Sequence, residues 1–380
     1  MALSTILLFG AGLFVRSLQS AADMDLGFAT RAGAVVKVET VANEYTGDQQ
    51  LAFVDEIGAR LEANAQIEAH GITVRMPLSL GTIIFPVDVP GVEPPPGQNR
   101  HRPEATSITP GYFDAIGIPI LDGRDFESSD DETSQNVIII SREASERWWP
   151  GESAIGKVVY RNGDTEDPRV VVGVVGNVKI WSLSEAPRSY IYWPFQQDGA
   201  NDSFYITARG NMPPGELAAF IRSEARSIDP EIFLTSVGTM DDHLGYIYFL
   251  PRMAAVMLSL VGGLALLLAC IGLYGMVSYG VSRRTREMGI RLALGADRQS
   301  VVQLVLKGGL TLVAVGGAAG IVLSLGLGRL VERFLVGVGG LDLLALLAAP
   351  LVLGLVAVTA TYVPARRASK VDPVQALRTE

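Results

Sequence analysis

The residues whose spacing most clearly suggests chemistry are Gly151-Glu-Ser-Ala-Ile-Gly-Lys157, which match most of the phosphate-binding pattern GxxxxGK[ST]. In that pattern glycine N–H groups cradle phosphates, the lysine reaches the terminal phosphates and the final hydroxyl binds magnesium. Here Val158 stands where the hydroxyl is needed, and Arg142–Trp148 predict a helix where the motif requires a strand. We therefore interpret the segment as an ordinary turn region and expect no nucleotide to bind there.

Other catalytic patterns are equally sparse. The only histidines are His70, His101 and His243, which have neither the HExxH spacing nor the paired spacing of a zinc site. The single cysteine, Cys270, lies in an apolar run, and no GxSxG elbow of a serine hydrolase occurs. The sequence therefore predicts a protein that is not an enzyme and that carries no metal or cofactor.

A basic segment, Val281–Arg298, is the next candidate for a functional site. It contains five arginines against only Glu287 and Asp297, and it also carries the apolar residues Ile290, Leu292 and Leu294. Two interpretations stay open. The arginines can be a topology signal, because clustered Lys and Arg beside a span remain cytoplasmic. The apolar residues instead favour a surface that binds a partner.

Long apolar runs flank this segment. No charged residue occurs in Met253–Ser282, Gly308–Gly328 or Leu343–Ala365, and each run is long enough to cross a bilayer as a helix. With the basic segment inside, the third run brings a second basic cluster, beginning at Arg366, back to the cytoplasm. Ala2–Val15 is shorter, so it is either a signal peptide or a transmembrane helix whose start is missing, and we favour the truncated helix.

The charge distribution agrees with this topology. The formal net charge is −9, and residues 251–380 contribute +7, so residues 1–250 carry −16. Such asymmetry is expected when one half lies outside and the other lies against anionic membrane lipid. It argues against nucleic acid as a partner. Residues between Arg16 and Leu250 are therefore expected to be extracytoplasmic, in a domain large enough to fold without disulfides.

That outer region predicts an α+β domain. Short β-branched runs at Val35–Val38, Val137–Ile140 and Arg169–Val175 predict strands. Two sets of apolar residues at helical spacing predict amphipathic helices: Leu51, Val54, Ile57 and Leu61, and then Leu217, Ile221, Ala225 and Ile228. Pro213-Pro214 is expected to start the second helix and Asp229-Pro230 to end it. Pro86–Arg102 and Glu127–Gln135 predict loops, and Met240–Leu250 is expected to continue the helix of the next span.

Several motifs resemble a known family. Val281–Arg298 followed by Gln299–Leu306, and the later Pro364–Arg378, are similar to the FtsX-like permease domain of MacB-type ABC transporters. The outer region resembles the MacB-like periplasmic core domain at the following segments: Thr109–Pro119, Gly123–Phe126, Arg147–Gly151, Ile155–Lys157 and Val172–Val178. The chain is most similar to one half of the duplicated orphan permeases of soil bacteria, and we expect it to be a fragment or a second half.

The resemblance implies a membrane protein of the bacterial inner membrane: an α-helical, four-span FtsX-like permease with a large α+β extracytoplasmic domain. The expected parts are a truncated first span (1–18), the MacB-like domain (19–248) and the permease domain (249–380), with spans near 253–282, 308–328 and 343–365. It also implies partners: an ABC ATPase in trans, a second permease half and a membrane fusion protein. The residues expected to couple to the ATPase are Arg284, Arg286, Glu287, Ile290, Arg291, Leu294 and Gly295.

The coupling residues follow helical spacing. Glu287 and Arg291 are four apart and share one face, and Ile290 and Leu294 share a neighbouring face that fits an apolar groove. The resemblance therefore implies a permease that transmits ATP-driven movement to the outer domain, in export or efflux. An FtsX-like signalling scaffold that activates an envelope hydrolase stays open as the alternative. A membrane-anchored adhesion or sensor protein is a third class, which the coupling motif disfavours.

Overall fold

The computed structural model describes residues 1–30, 33–41, 45–79, 81, 83–198, 201–283, 298–332, 335, 337–339 and 342–368. The chain forms two compact units. The membrane unit comprises Met1–Met24 with Tyr248–Glu380, and the outer unit comprises Asp25–Ile247.

Nine helices occur in the described part of the chain: α1 (Ala2–Ala22), α2 (Gly47–Glu62), α3 (Tyr112–Ile116), α4 (Arg142–Trp148), α5 (Phe195–Asp198), α6 (Pro214–Ile228), α7 (Met240–Arg283), α8 (Arg298–Val331) and α9 (Leu343–Ala368). Four of them contain segments long and apolar enough to cross a membrane, namely Ala2–Ala22, Pro251–Arg283, Val313–Val331 and Leu343–Tyr362. The fold class therefore agrees with the prediction of four spans.

The first helix is longer than its apolar run. The apolar run stops at Arg16 and the first span was expected to cover residues 1–18, whereas α1 continues to Ala22 and is 21 residues long. At 1.5 Å per residue, such a helix spans about 30 Å. Ser17 and Ala21 continue its buried face beyond the charged residue. The charge at Arg16 thus marks a position within the helix and not the helix end.

In the membrane unit α1 packs against the other three helices. Its Phe9 and Leu13 form a buried cluster with Ala345 and Ala349 of α9. The Ser4 hydroxyl donates a hydrogen bond of 3.2 Å to the carbonyl of Ala265 in α7. Side chain–backbone bonds of this kind add to van der Waals packing between helices in a bilayer.

The outer unit is built on one mixed sheet of twelve strands: β1 (Ala34–Glu39), β2 (Ile67–Thr73), β3 (Ile83–Ile84), β4 (Val87–Asp88), β5 (Glu104–Ile108), β6 (Ile120–Gly123), β7 (Val137–Ser141), β8 (Val158–Arg161), β9 (Pro168–Val175), β10 (Tyr190–Pro194), β11 (Ser203–Gly210) and β12 (Phe233–Thr239). The strand order is β12-β1-β11-β2-β5-β10-β7-β9-β8-β4, with β3 on β5 and β6 on β9. Among the strands of the described residues, β5–β10 and β7–β9 are the parallel pairs, and the others are antiparallel.

One core lies where α2 and α6 cover β1, β2 and β11. It buries Ile57 and Leu61 of α2, Ile221 of α6, and Val36 and Ile206 of the strands. These residues include members of both predicted amphipathic faces, so both helix predictions are confirmed. A capping box starts α2, because Thr46 accepts a hydrogen bond from the Gln49 amide and the Gln49 side chain accepts one from Thr46.

A second core lies around β7, β9 and β10. The β-branched residues of β7 and β9 pack with Trp193 and with Trp148 of α4, all nearly or fully buried. The expectation for Pro86–Arg102 was wrong in part, because Val87–Asp88 forms a strand and Val87, Val89 and His101 are buried. Val87 pairs with His101, so the proline-rich stretch is a loop closed by its own ends over this core.

Gly71→Ala is expected to destabilise the outer unit by about 1–3 kcal/mol, the usual cost of overpacking. A Cβ at position 71 would lie 2.6 Å from the backbone nitrogen of Tyr112, a distance that requires α3 to move. The measurement is thermal unfolding of the purified protein. Gly58→Ala is the matched control: its Cβ would lie 3.8 Å from His70, and alanine favours a helix interior, so this variant should be at least as stable as the parent. Equal stability of both variants would contradict the prediction.

Candidate functional site

The predicted ATPase-coupling residues, Arg284, Arg286, Glu287, Ile290, Arg291, Leu294 and Gly295, lie outside the described residues. The structure describes the two helices that bound them. Helix α7 ends at Arg283 and α8 begins at Arg298. The segment therefore connects the C-terminus of one helix that contains a candidate span to the N-terminus of the next. The coupling roles of these seven residues remain predictions from the sequence.

The P-loop-like segment Gly151–Lys157 lies in the outer unit with the wrong neighbours for nucleotide binding. Helix α4 precedes it and strand β8 follows it, whereas a P-loop follows a strand and opens a helix whose N-terminus faces the phosphates. The Lys157 ammonium forms an ion pair with Glu152 at 2.6 Å. The geometry therefore offers phosphates neither a helix N-terminus nor an unpaired lysine.

The three histidines occupy three different environments. His101 is buried, its ring lies edge-on to Trp148, and its Nε2 lies 3.2 Å from the carbonyl oxygen of Val92. His243 lies in the first turn of α7 with its Nε2 3.1 Å from the carbonyl oxygen of Pro77, and burial lowers its pKa. Among the described residues no three His, Cys, Asp or Glu side chains are grouped as metal ligands would be.

One groove of the outer unit has a volume of about 590 Å³ and lies between α2 and the segment from Phe126 to Asp130. Its lining includes six carboxylates: Asp55, Glu62, Glu68, Asp114, Glu127 and Asp130. Arg209 forms ion pairs with Asp114 at 2.6 Å and with Glu68 at 3.4 Å. Arg124 pairs with Asp130 at 2.7 Å. Glu127 also lies 3.7 Å from Arg124, so four of the six carboxylates are ion-paired by two arginines, as in a structural network.

The pKa values of His70, which lines this groove, and of Asp125, which precedes Phe126 of the lining, are both shifted. Burial lowers the pKa of His70, although the Glu62 carboxylate opposes the shift. Burial raises the pKa of Asp125, while hydrogen bonds from the Phe126 and Gly111 amides act against it. Gly111 has a φ of 81°, a left-handed conformation that favours glycine, and it turns its N–H toward Asp125 at 3.1 Å. This contact fixes the start of α3 beside the groove.

The spans contain two adjacent glycine pairs, Gly262-Gly263 and Gly316-Gly317. A Cβ at Gly262 would lie 3.6 Å from the backbone of Leu7, and a Cβ at Gly316 would meet Met1. At Gly263 and Gly317 nothing described in the chain lies within 4 Å of such a Cβ. Each adjacent pair thus has one glycine facing α1 and one facing away.

The sequence reasoning missed one pair of charged residues. Arg16 of α1 forms an ion pair with Asp342, which precedes α9 and also accepts a hydrogen bond of 2.8 Å from the Ala345 amide. Asp342 thus caps α9 while it neutralises the arginine. The signal was visible in part, since Arg16 is the only charged residue in α1. An ionisable residue inside a span is costly unless it is paired.

Two family models match the chain. The model of the MacB-like periplasmic core domain matches residues 1–224, and that of the FtsX-like permease C-terminal matches residues 259–373. The first covers more than half of the chain, and the two follow each other in the order that the motifs predict. Both domain resemblances are confirmed.

Two curated relatives illustrate the similarity. The chain is 27% identical over 298 residues to an uncharacterized ABC transporter permease, YknZ of Bacillus subtilis, covering 74% of this chain and 72% of that protein. It is 25% identical over 299 residues to the macrolide export ATP-binding/permease protein MacB of Acinetobacter baylyi, covering 74% of this chain. The chain spans only 43% of that second protein.

Among solved structures, the chain is similar to the periplasmic region of MacB from Actinobacillus actinomycetemcomitans, with 13% identity and a TM-score of 0.39, covering 60% of this chain and 97% of that one. It is also similar to the extracellular domain of YknZ from Gram-positive bacteria, with 16% identity and a TM-score of 0.33, covering 51% of this chain and 91% of that one.

Proposed function

Because the chain belongs to the family of MacB-like, FtsX-like ABC transporter permeases, we propose that it couples an ATPase acting in trans to movement of its extracytoplasmic unit, in export. The observation that carries this proposal is the order of the parts. A MacB-like unit lies in the sequence between α1 and the three later candidate spans, and the arginine-rich segment follows α7.

Transmission of movement is supported by the connections between the spans and the outer unit. Only Asp23 and Met24 lie between the end of α1 and the start of the outer unit at Asp25, and α7 runs as one helix from Met240 to Arg283. A helix resists compression along its axis because each turn is hydrogen-bonded to the next. In α7, Pro251 removes one of these bonds, and the remaining turns carry the connection. A displacement at the cytoplasmic end of α7 would therefore be passed along the helix axis.

The ATPase is proposed to bind the segment between α7 and α8 as a helix-in-groove partner. Glu287 and Arg291 would make the polar contacts of that helix, and Ile290 and Leu294 the apolar ones. The relative YknZ carries only the permease in its name, which fits an ATPase on a separate chain. The direction of transport rests on the MacB relatives, whose names describe export.

A second permease half is proposed to cover the face of α7 that the rest of the described chain leaves exposed. Only 11% of the apolar window of α7 is buried within the chain, the smallest share of the four candidate spans. Leu260, Leu264 and Leu268 are more than half exposed. Lipid can cover such a face, but two permease halves are needed to engage the two nucleotide-binding domains that close on ATP.

The test is affinity purification from membranes of the native host. We expect an ABC ATPase to co-purify, and we expect the complex in liposomes to hydrolyse ATP faster than the ATPase alone. Purification of the permease with no ATPase, under conditions where it remains folded and membrane-inserted, would contradict the proposal. If an envelope hydrolase is retained and activated instead, the signalling alternative is correct.

A further inference from the structure

A polar cavity lies at the end of α1 that is closest in sequence to the outer unit. The cavity, here called the outer cavity, has a volume of about 550 Å³, and Arg16, Gln19, Ser20 and Asp23 of the α1 end and Asp342 before α9 contribute to its lining. All of these residues belong to the membrane unit. Volumes of about 300–1,000 Å³ are typical of small-molecule sites.

Arg16 supplies the positive charge of the outer cavity. Its Nη1 donates to Asp342, yet 39% of the arginine side chain stays exposed. A guanidinium has five N–H donors in a planar fork that matches phosphate and carboxylate geometry. The Asp342 contact uses one of these, so donors remain for a second anionic group in the cavity.

The two carboxylates of the outer cavity differ in how many hydrogen bonds they already accept. Asp342 is only 14% exposed and is committed to Arg16 and to the Ala345 amide. The carboxylate of Asp23, by contrast, is exposed and has no hydrogen-bond or ion-pair partner among the described residues. The side chains of Gln19 and Ser20 likewise bond to none of the described residues. The cavity therefore offers a ligand the guanidinium of Arg16 as a donor and the carboxylate of Asp23, the residue after α1, as an acceptor.

Position identifies the source of the ligand. Arg16 lies within the candidate span Ala2–Ala22, and the extracytoplasmic unit begins at Asp25. The cavity is thus at the outer boundary of the membrane, where lipid phosphates are found. An arginine near a helix end lowers its cost in the bilayer by extending toward such phosphates.

We propose that the outer cavity binds the headgroup of a zwitterionic phospholipid whose ammonium retains N–H donors, as in phosphatidylethanolamine. The phosphate accepts hydrogen bonds from Arg16, and the ammonium donates to Asp23, with Gln19 and Ser20 as further polar contacts. Charge-assisted bonds of this kind are the strong ones in proteins. A headgroup without N–H donors leaves Asp23 unsatisfied, and a net anionic headgroup is repelled by it.

The test is lipid titration of the delipidated full-length protein, followed by native mass spectrometry. Phosphatidylethanolamine should bind about tenfold more tightly than phosphatidylcholine or phosphatidylglycerol, the size expected for one charge-assisted hydrogen bond. Equal binding of the three lipids would overturn the proposal. Competition by soluble glycerophosphoethanolamine at matched concentration would show that the site takes a free phosphate compound, which also overturns the assignment to lipid.

Two variants separate the contacts. Asp23→Asn, at an exposed position without described partners, should remove the preference among headgroups while the protein stays folded. Arg16→Gln should weaken binding of all three lipids, and Arg329→Gln, an exposed arginine of α8 outside the cavity, should change nothing. A preserved preference in Asp23→Asn would contradict the assignment of the ammonium. These measurements do not involve an ATPase, so their outcome is independent of the proposed transport function.

Discussion

Glu287→Lys is expected to abolish binding of the partner ATPase while leaving the protein inserted in the membrane. If Glu287 lies at the contact with the ATPase, reversing its charge puts like charges against each other in a desolvated interface, which costs several kcal/mol. A loss of that size reduces affinity by more than a hundredfold. The measurement is co-purification of the ATPase with each variant, together with ATP turnover in liposomes. The prediction rests on the sequence, since Glu287 lies outside the described residues.

Insertion should survive this change for a separate reason. The segment is bounded by two candidate spans, Pro251–Arg283 and Val313–Val331, and several arginines orient it. One reversed charge is a small part of that signal. Arg329→Glu, at the opposite end of α8, is the matched charge reversal and should leave both binding and turnover intact.

Ile290→Asp tests the apolar half of the same interface. It should reduce ATPase binding to a similar degree, because a carboxylate would replace an apolar side chain in the proposed groove. If Glu287→Lys and Ile290→Asp both keep ATPase binding and turnover, the arginine-rich segment is only a topology signal. That result would leave the family assignment untouched and remove the proposed coupling site.

The pattern of neighbouring residues was sufficient to predict several strands and helices of the outer unit. The β-branched runs at Val137–Ile140 and Arg169–Val175 correspond to β7 and β9. Strand β7 is buried at every position and so needs apolar residues on both faces, whereas β9 has partly exposed positions between buried ones. Pro214 and Asp229 bound α6 as their backbone preferences predict. Each of these features is encoded within about ten neighbouring residues, so the sequence alone reveals it.

Long-range pairing was not predictable in the same way. Strand β5 pairs with β2, β3 and β10. Strand β10 runs parallel to β5 although more than eighty residues separate the two, a pairing that no local pattern encodes. The Arg16–Asp342 ion pair joins residues 326 positions apart. Sequence analysis identified a charge in an apolar helix, but its partner depends on how α1 packs against α9. The outer cavity therefore emerged only from the packed helices.

Gly320→Leu is expected to separate α1 from α8 and to destabilise the membrane unit. Small residues at helix contacts allow backbones to approach closely, and packing of this kind drives helix association in bilayers. A Cβ at position 320 would lie 2.5 Å from the Cβ and 2.7 Å from the hydroxyl of Thr5, whose own side chain is buried. Thr5 is β-branched and rigid in a helix, so the clash is relieved only by moving the helix.

The cost of this substitution should exceed the roughly 1–3 kcal/mol of ordinary overpacking, because leucine adds three carbons beyond the clashing Cβ. Thermal unfolding of the full-length protein in detergent measures it, and disulfide trapping between cysteines in α1 and α8 reports the separation directly. Gly317→Leu provides the control, since nothing described lies within 4 Å of its Cβ. Because α1 leads into the outer unit through only two residues, loss of its contact with α8 should also uncouple ATP turnover from transport. The prediction is contradicted if Gly320→Leu unfolds at the same temperature as Gly317→Leu and forms the α1–α8 disulfide to the same extent. That result would show that α1 and α8 do not pack closely in the membrane.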